Sequence, residues 1–125
     1  MDKEILYTVW EVTENIYEQL PISFDDVDIH HKAECEEALI WAESLVSDLD
    51  FNITQLFIEK MKYLHGKKAD VKDVMEYVAE IDEELKKQKE LLHDAKVEVE
   101  VFKDAISYLE NEDNEILYSI HSEQI

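Results

Sequence analysis

Three groupings of residues in this chain have types and spacings from which chemistry can be built. Glu90 and His93 stand three apart, the Glu-x-x-His spacing with which helical bundles hold a pair of iron or manganese ions. Such a centre needs a second copy of the motif and two further inward glutamates, and the sequence holds no second copy. His30, His31 and Cys35 offer zinc-type donors, with His31 and Cys35 one helical turn apart, but a fourth ligand at a suitable local spacing is missing. Cys35 as a nucleophile would need a thiolate, which the adjacent Glu34 and Glu36 oppose. His65 and His121 stand alone, and a single glycine leaves no material for a phosphate-cradling loop. The expectation is a non-enzymatic protein with no metal and no cofactor.

What the sequence does carry is charge. The 125 residues hold 32 Asp plus Glu against 12 basic residues, a formal net charge of −20, and all 12 basic residues are lysine. Without arginine, the residue best suited to bidentate phosphate recognition, direct binding to nucleic acid is disfavoured twice over. The balance is uneven. Residues 1–59 carry 15 acids and two lysines, whereas residues 60–72 carry five lysines and one acid. Glu4, Glu11, Glu14 and Glu18 recur at helical spacing, and Asp25, Asp26, Asp28, Glu34, Glu36, Glu37 and Glu43 supply a second row. Neighbouring carboxylates on a helix face lie roughly 5 to 6 Å apart, broadly comparable to DNA phosphates. Such a surface either keeps a long-helix protein solvated or enters the basic groove of a nucleic-acid-binding protein.

These side chains need rigid elements. Hydrophobic content of 46% is ample for a core, and one Gly and one Pro point to a few long helices rather than sheets. The longest lies at residues 71–109. Val71, Val74, Val78, Ile81, Leu85, Gln88, Leu92, Ala95, Val99, Phe102, Ile106 and Leu109 recur in alternating steps of three and four, the a/d pattern of a coiled-coil seam. As one helix it would be roughly 60 Å long. Its e positions are Met75, Asp82, Lys89, Lys96, Lys103 and Glu110, and its g positions are Tyr77, Glu84, Leu91, Glu98 and Ala105. Glu84 with Lys89, and Glu98 with Lys103, suit a parallel homodimer. The apolar Tyr77, Leu91 and Ala105 instead widen the stripe toward a helix packed inside its own bundle. The seam therefore either covers the chain's own helices or is shared with a second copy.

The other elements follow in order. Ile5, Val9, Val12, Ile16 and Leu20 predict a helix over residues 2–20, ended by Pro21. Residues 21–29 form a loop from which Phe24 and Ile29 should fold back onto the core. A second helix begins between Asp28 and His31 and turns Ala38, Ala42, Leu45 and Leu49 inward, with Trp41 and Val46 beside them. Asp50-Phe51-Asn52 reads as a break, with Asn52 and Gln55 at capping-box spacing, followed by a helix over 53–65 with Phe57, Met61 and Leu64 inward. The alternative is one long arm over 29–65. Gly66 stands where a left-handed cap residue is wanted, and Asp70 caps the long helix across a tight corner at 66–70. Asn111-Glu112-Asp113-Asn114 stops the heptads, and Ile116, Leu117 and Ile120 suggest one more short helix. The fold expected is an all-α bundle or hairpin in one acidic domain, residues 1–125. A single Cys excludes an intrachain disulfide and suits a reducing cytoplasm. Met1-Asp2-Lys3-Glu4 has no signal-peptide character, and no run of 18 apolar residues offers a membrane span. A soluble cytoplasmic protein is expected. Trp10 and Trp41 are core or rim anchors, or exposed hot spots for a partner.

The stretch Ile22-Ser23-Phe24-Asp25-Asp26-Val27 and the following Ala33-Glu34-Cys35-Glu36-Glu37-Ala38-Leu39-Ile40-Trp41-Ala42-Glu43 resemble part of the Ocr-type phage antirestriction DNA mimics. The resemblance covers about a fifth of the chain, and the long heptad helix departs from that family. It implies a class: small acidic phage or mobile-element proteins that block DNA-handling host enzymes. The functional expectation is an inhibitor occupying the nucleic-acid groove of a host enzyme such as a restriction or CRISPR nuclease. Glu11, Glu14, Glu18, Asp25, Asp26, Glu36, Glu37 and Glu43 are the expected contacts. The alternative is a coiled-coil adaptor or structural protein. In that case Val78, Ile81, Leu85, Gln88, Leu92, Val99, Phe102 and Ile106 recruit a second copy or a partner helix.

Overall fold

A computed structural model describes residues 3–66 and 70–123, with side chains through residue 112. The fold is all-α: no strand occurs among the described residues. Helix α1 spans Glu4–Glu18, α2 Lys32–His65 and α3 Val71–Glu123, with a short 3-10 turn at Phe24–Asp26. Helix α1 stops two residues short of expectation. Pro21 bars Leu20 from helical geometry, so Gln19 becomes the cap, its N–H bonding the Asn15 carbonyl at 3.0 Å.

Helix α2 runs back along α3. Lys32 reaches Glu110 at 3.4 Å and Lys60 reaches Asp82 at 2.7 Å. Helix α1 runs in the same direction as α3, tied by Lys3 to Glu80 at 2.9 Å and Trp10 to Glu84 at 2.7 Å. The chain from Ile22 to Val27 then continues this third strand of the bundle, packing against Ala38, Ala42, Val99 and Phe102. Two alanines on α2 leave room there for the Phe102 ring and for Phe24, whose ring centre lies 5.9 Å from it. Ile29 stays exposed, contrary to expectation.

Helix α2 has no break. Its 34 residues would span about 51 Å, and Asn52 is a buried interior residue rather than a cap. With the helix unbroken, the phase set by Leu45 and Leu49 carries on to Asn52 and Leu56, all buried. Phe57 and Leu64 therefore face outward and Met61 is half-buried. At its start, His31 is the cap residue, its Nδ1 accepting from the Glu34 N–H at 3.3 Å. Gly66 is not left-handed: φ is −75° and ψ 140°. Its role is close approach, since a Cβ there would stand 3.0 Å from the Lys62 carbonyl oxygen.

Helix α3 is one rod of 53 residues, about 80 Å long. The Asp70 carboxylate caps it, accepting from the Lys72 N–H at 2.9 Å. Residues 67–69 of the expected corner lie outside the described residues. The helix does not stop at 111–114 but runs on to Glu123; the packing of Ile116, Leu117 and Ile120 lies outside the described residues.

The seam is turned inward. Val74, Val78, Ile81, Leu85, Gln88, Ala95, Val99 and Phe102 are buried against α1, α2 and the connecting segment. Leu92, Ile106 and Leu109 are half-buried, and only Val71 is exposed. The flanks differ. At g, Tyr77 and Glu84 are buried and Leu91, Glu98 and Ala105 half-buried, whereas Met75, Asp82, Lys89, Lys96, Lys103 and Glu110 at e are all exposed. Within the chain, Glu84 accepts from Trp10 and Gln88 while Lys89 stays exposed, because α1 lies over the g flank.

Candidate functional site

The predicted acidic contacts sit on three elements. Glu11, Glu14 and Glu18 stand on α1, Asp25 and Asp26 in the 3-10 turn, and Glu36, Glu37 and Glu43 in the first half of α2; all are exposed. Among the described residues the one ion pair in this set is Glu36 with Lys32, at 3.7 Å. On α2 the acids do not own the whole outer surface. Glu36, Glu43 and Asp50 recur at seven-residue steps, but Ile40, Ser44, Ser47 and Phe51, all exposed, form an uncharged line beside them.

The fold gathers acids that no single segment shows. The half-buried Glu98 on α3 has its carboxyl pushed up, chiefly by burial and then by Asp25 and Asp94. Tyr17 at the end of α1 is likewise raised by burial and by Asp94. The end of α1, the 3-10 turn and the middle of α3 thus lie within electrostatic reach of one another through Tyr17, Asp25, Asp94 and Glu98. Asp26 lines a separate groove with Glu34 and Glu37 beside Ile22 and Val27. Asp94 and Glu98 are members of the surface that sequence spacing did not reveal, because they join Asp25 only through tertiary packing.

Below α1 lies a buried polar layer to which every helix contributes. Gln88 Nε2–H donates to Thr13 Oγ1 and to Glu84 Oε1, each at 2.9 Å. Asn52 Nδ2–H donates to Thr13 Oγ1 at 3.3 Å and Gln88 Oε1 at 3.4 Å. Thr13 in turn donates to the Val9 carbonyl at 2.7 Å, and Trp10 Nε1–H donates to Glu84 Oε2 at 2.7 Å. This accounts for Gln88 at a d position. Buried amides are tolerated when their partners are in place, and here those partners come from all three helices, so the layer fixes their mutual register.

Among the residues with metal or nucleophile types, the His31 and Cys35 side chains are engaged locally. His31 caps α2, the Asp28 carboxylate accepts from the His30 N–H at 2.9 Å, and the Cys35 thiol donates to the Asp28 carbonyl at 3.6 Å. Burial, Asp28, Glu34 and Glu36 all push the Cys35 thiol up, away from thiolate. Glu90 and His93 are exposed and line a surface groove of about 550 Å³ with Phe57, Lys60 and Lys86. No group of three or more His, Cys, Asp or Glu residues that could hold a metal ion occurs among the described residues. No helix among them is long and apolar enough to cross a membrane. Family models, curated proteins and solved structures were each compared with the chain, and none matches it.

Proposed function

We propose that this chain is a non-enzymatic acidic inhibitor that enters the nucleic-acid groove of a host DNA- or RNA-handling enzyme, such as a CRISPR or restriction nuclease. Its source would be a phage or mobile element, the class implied by the resemblance at residues 22–43. One observation carries the reading. Glu11, Glu14, Glu18, Asp25, Asp26, Glu37 and Glu43 are exposed on a braced helical scaffold, with no ion-pair partner among the described residues. Carboxylates left without cations on a rigid surface are complementary to a groove built to neutralise phosphates. The a/d stripe of α3, which the adaptor reading needs, is largely engaged within the chain.

The test is capture of a nucleic-acid-binding protein from a bacterial host, scored by loss of that protein's binding to its own DNA or RNA. Affinity should fall about tenfold or more between roughly 0.05 and 0.3 M NaCl, as screening grows. Replacing Glu11, Glu14, Glu18, Asp25 and Asp26 together with lysine should abolish it. Capture that ignores salt, or that survives the fivefold replacement, would refute the reading.

A further inference from the structure

Helix α1 carries a second kind of side chain on the face that bears its acids. Tyr7, Trp10, Glu14 and Tyr17 fall on one line at steps of three, four and three, and the three aromatics are 56%, 43% and 39% exposed. The rings are held. The Trp10 indole N–H is fixed to Glu84, and the Tyr7 ring packs on Trp10 with centroids 5.3 Å apart. Aromatic rings presented rigidly lose little freedom on contact, which is why tryptophan and tyrosine dominate interface hot spots.

Two grooves of about 500 and 480 Å³ flank Trp10. One is lined by Tyr7, Glu80, Glu83 and Glu84 with Lys3 and Lys87, the other by Tyr17, Glu14 and Glu84 with Lys87. Lys3 is already engaged by Glu80. Glu84, which borders both grooves, is 7% exposed. Its carboxylate receives only neutral donors, Trp10 and Gln88, and no cation stands within ion-pair range of it among the described residues. A buried carboxylate met only by neutral donors, with Lys87 in the grooves but beyond ion-pair range, lies beneath an exposed indole face and offers a seat for a further cation.

We propose that the grooves beside Trp10 seat arginine side chains of the basic partner, so that α1 is the hot spot of the interface. This inference rests on the inhibitor reading above. A guanidinium can lie flat on an aromatic face while its edge N–H groups reach carboxylates; a strongly hydrated lysine ammonium cannot do both. The chain contains no arginine, so a second copy cannot supply the occupant.

The test uses the full chain with Trp41→Phe, leaving Trp10 as the only tryptophan, titrated with nona-arginine and nona-lysine in about 0.15 M NaCl. Nona-arginine should bind about fivefold more tightly or better, with a change in Trp10 emission. Trp10→Leu, followed by peptide anisotropy, should erase the preference while both peptides keep their salt-sensitive binding. Should Trp10→Leu lose helicity, Tyr7→Ser with Tyr17→Ser takes its place and should lower the preference at least about twofold. Equal binding of the two peptides, or a preference that survives these substitutions, overturns the aromatic seat and leaves the acidic-surface reading standing. If neither peptide binds at about 0.02 M NaCl, both readings fall together.

Discussion

Helix α3 presents a different surface on each of its two flanks. Along the g side, α1 lies over the helix and the groove floor is Glu84, with Trp10 above it and Gln88, Thr13 and Asn52 beneath. Along the e side the groove beside Phe57 is open, and its charges alternate: Lys60, Lys86 and Lys89 stand among Asp82, Glu90 and Asp94. There Lys60 closes on Asp82 at 2.7 Å. One helix thus carries a braced flank with a buried carboxylate lacking a cation, and a solvated flank where charge is matched locally. A partner gains most where rings and charges are already fixed and unpaired. On the proposed inhibitor reading, that favours the α1 side for the partner, although both flanks contain grooves of similar size.

The largest expected effect removes the support beneath the floor of the braced flank. Gln88→Ala deprives Thr13, Asn52 and Glu84 of partners at once and opens a void where a fully buried side chain stood. Orphaned buried polar groups and the cavity together should cost about 2 to 4 kcal/mol. The measurement is the urea midpoint at constant m-value. A cost under about 1 kcal/mol would mean that the layer is not what locks α1 onto α3.

The e flank was legible from the sequence and the g flank only in part: the apolar Tyr77, Leu91 and Ala105 marked it as covered, but not what covers it, and the reason is range. The 71–109 period marked which edge of α3 is apolar, and Lys89, Lys96 and Lys103 stayed exposed as lysines at e positions should. Gln88 stood out as the exception in the seam, but two of its three partners are 36 and 75 residues away, beyond any periodicity. Asn52 misled for the same reason. Its spacing to Gln55 fits a helix start, and only the tertiary partner shows the amide serving a buried layer in mid-helix. That error shifted the phase and turned Phe57 inward on paper. The acids on α1 were countable along one helix, whereas Asp25 joins Asp94 and Glu98 only because the connecting segment packs against α3.

Glu98 sharpens the contrast with the opposite sign. Its carboxyl is raised by burial, Asp25 and Asp94, so the folded state holds this proton more tightly than the unfolded chain does. Between the unfolded and folded values the native state binds more protons, and stability falls as pH rises through that window. Glu98→Gln should therefore raise stability at pH 7, read as a higher urea midpoint than the parent chain's. The gain should vanish once the pH falls below the ordinary carboxylate range. A gain that persists in acid would assign the effect to packing rather than to charge.

The matched flank yields the smallest effect. Lys60 and Asp82 are partly in solvent, where water and salt screen an ion pair and two side chains must be ordered to make it. Lys60→Met retains most of the apolar stem and removes only the charge. It should cost about 0.5 kcal/mol or less at low salt and nothing measurable in about 0.5 M NaCl. It should also leave nona-arginine binding at Trp10 unchanged, because the e groove and the Trp10 grooves share no lining residue. Loss of peptide binding in Lys60→Met would mean that the two flanks act together and would remove the ground for preferring the α1 side.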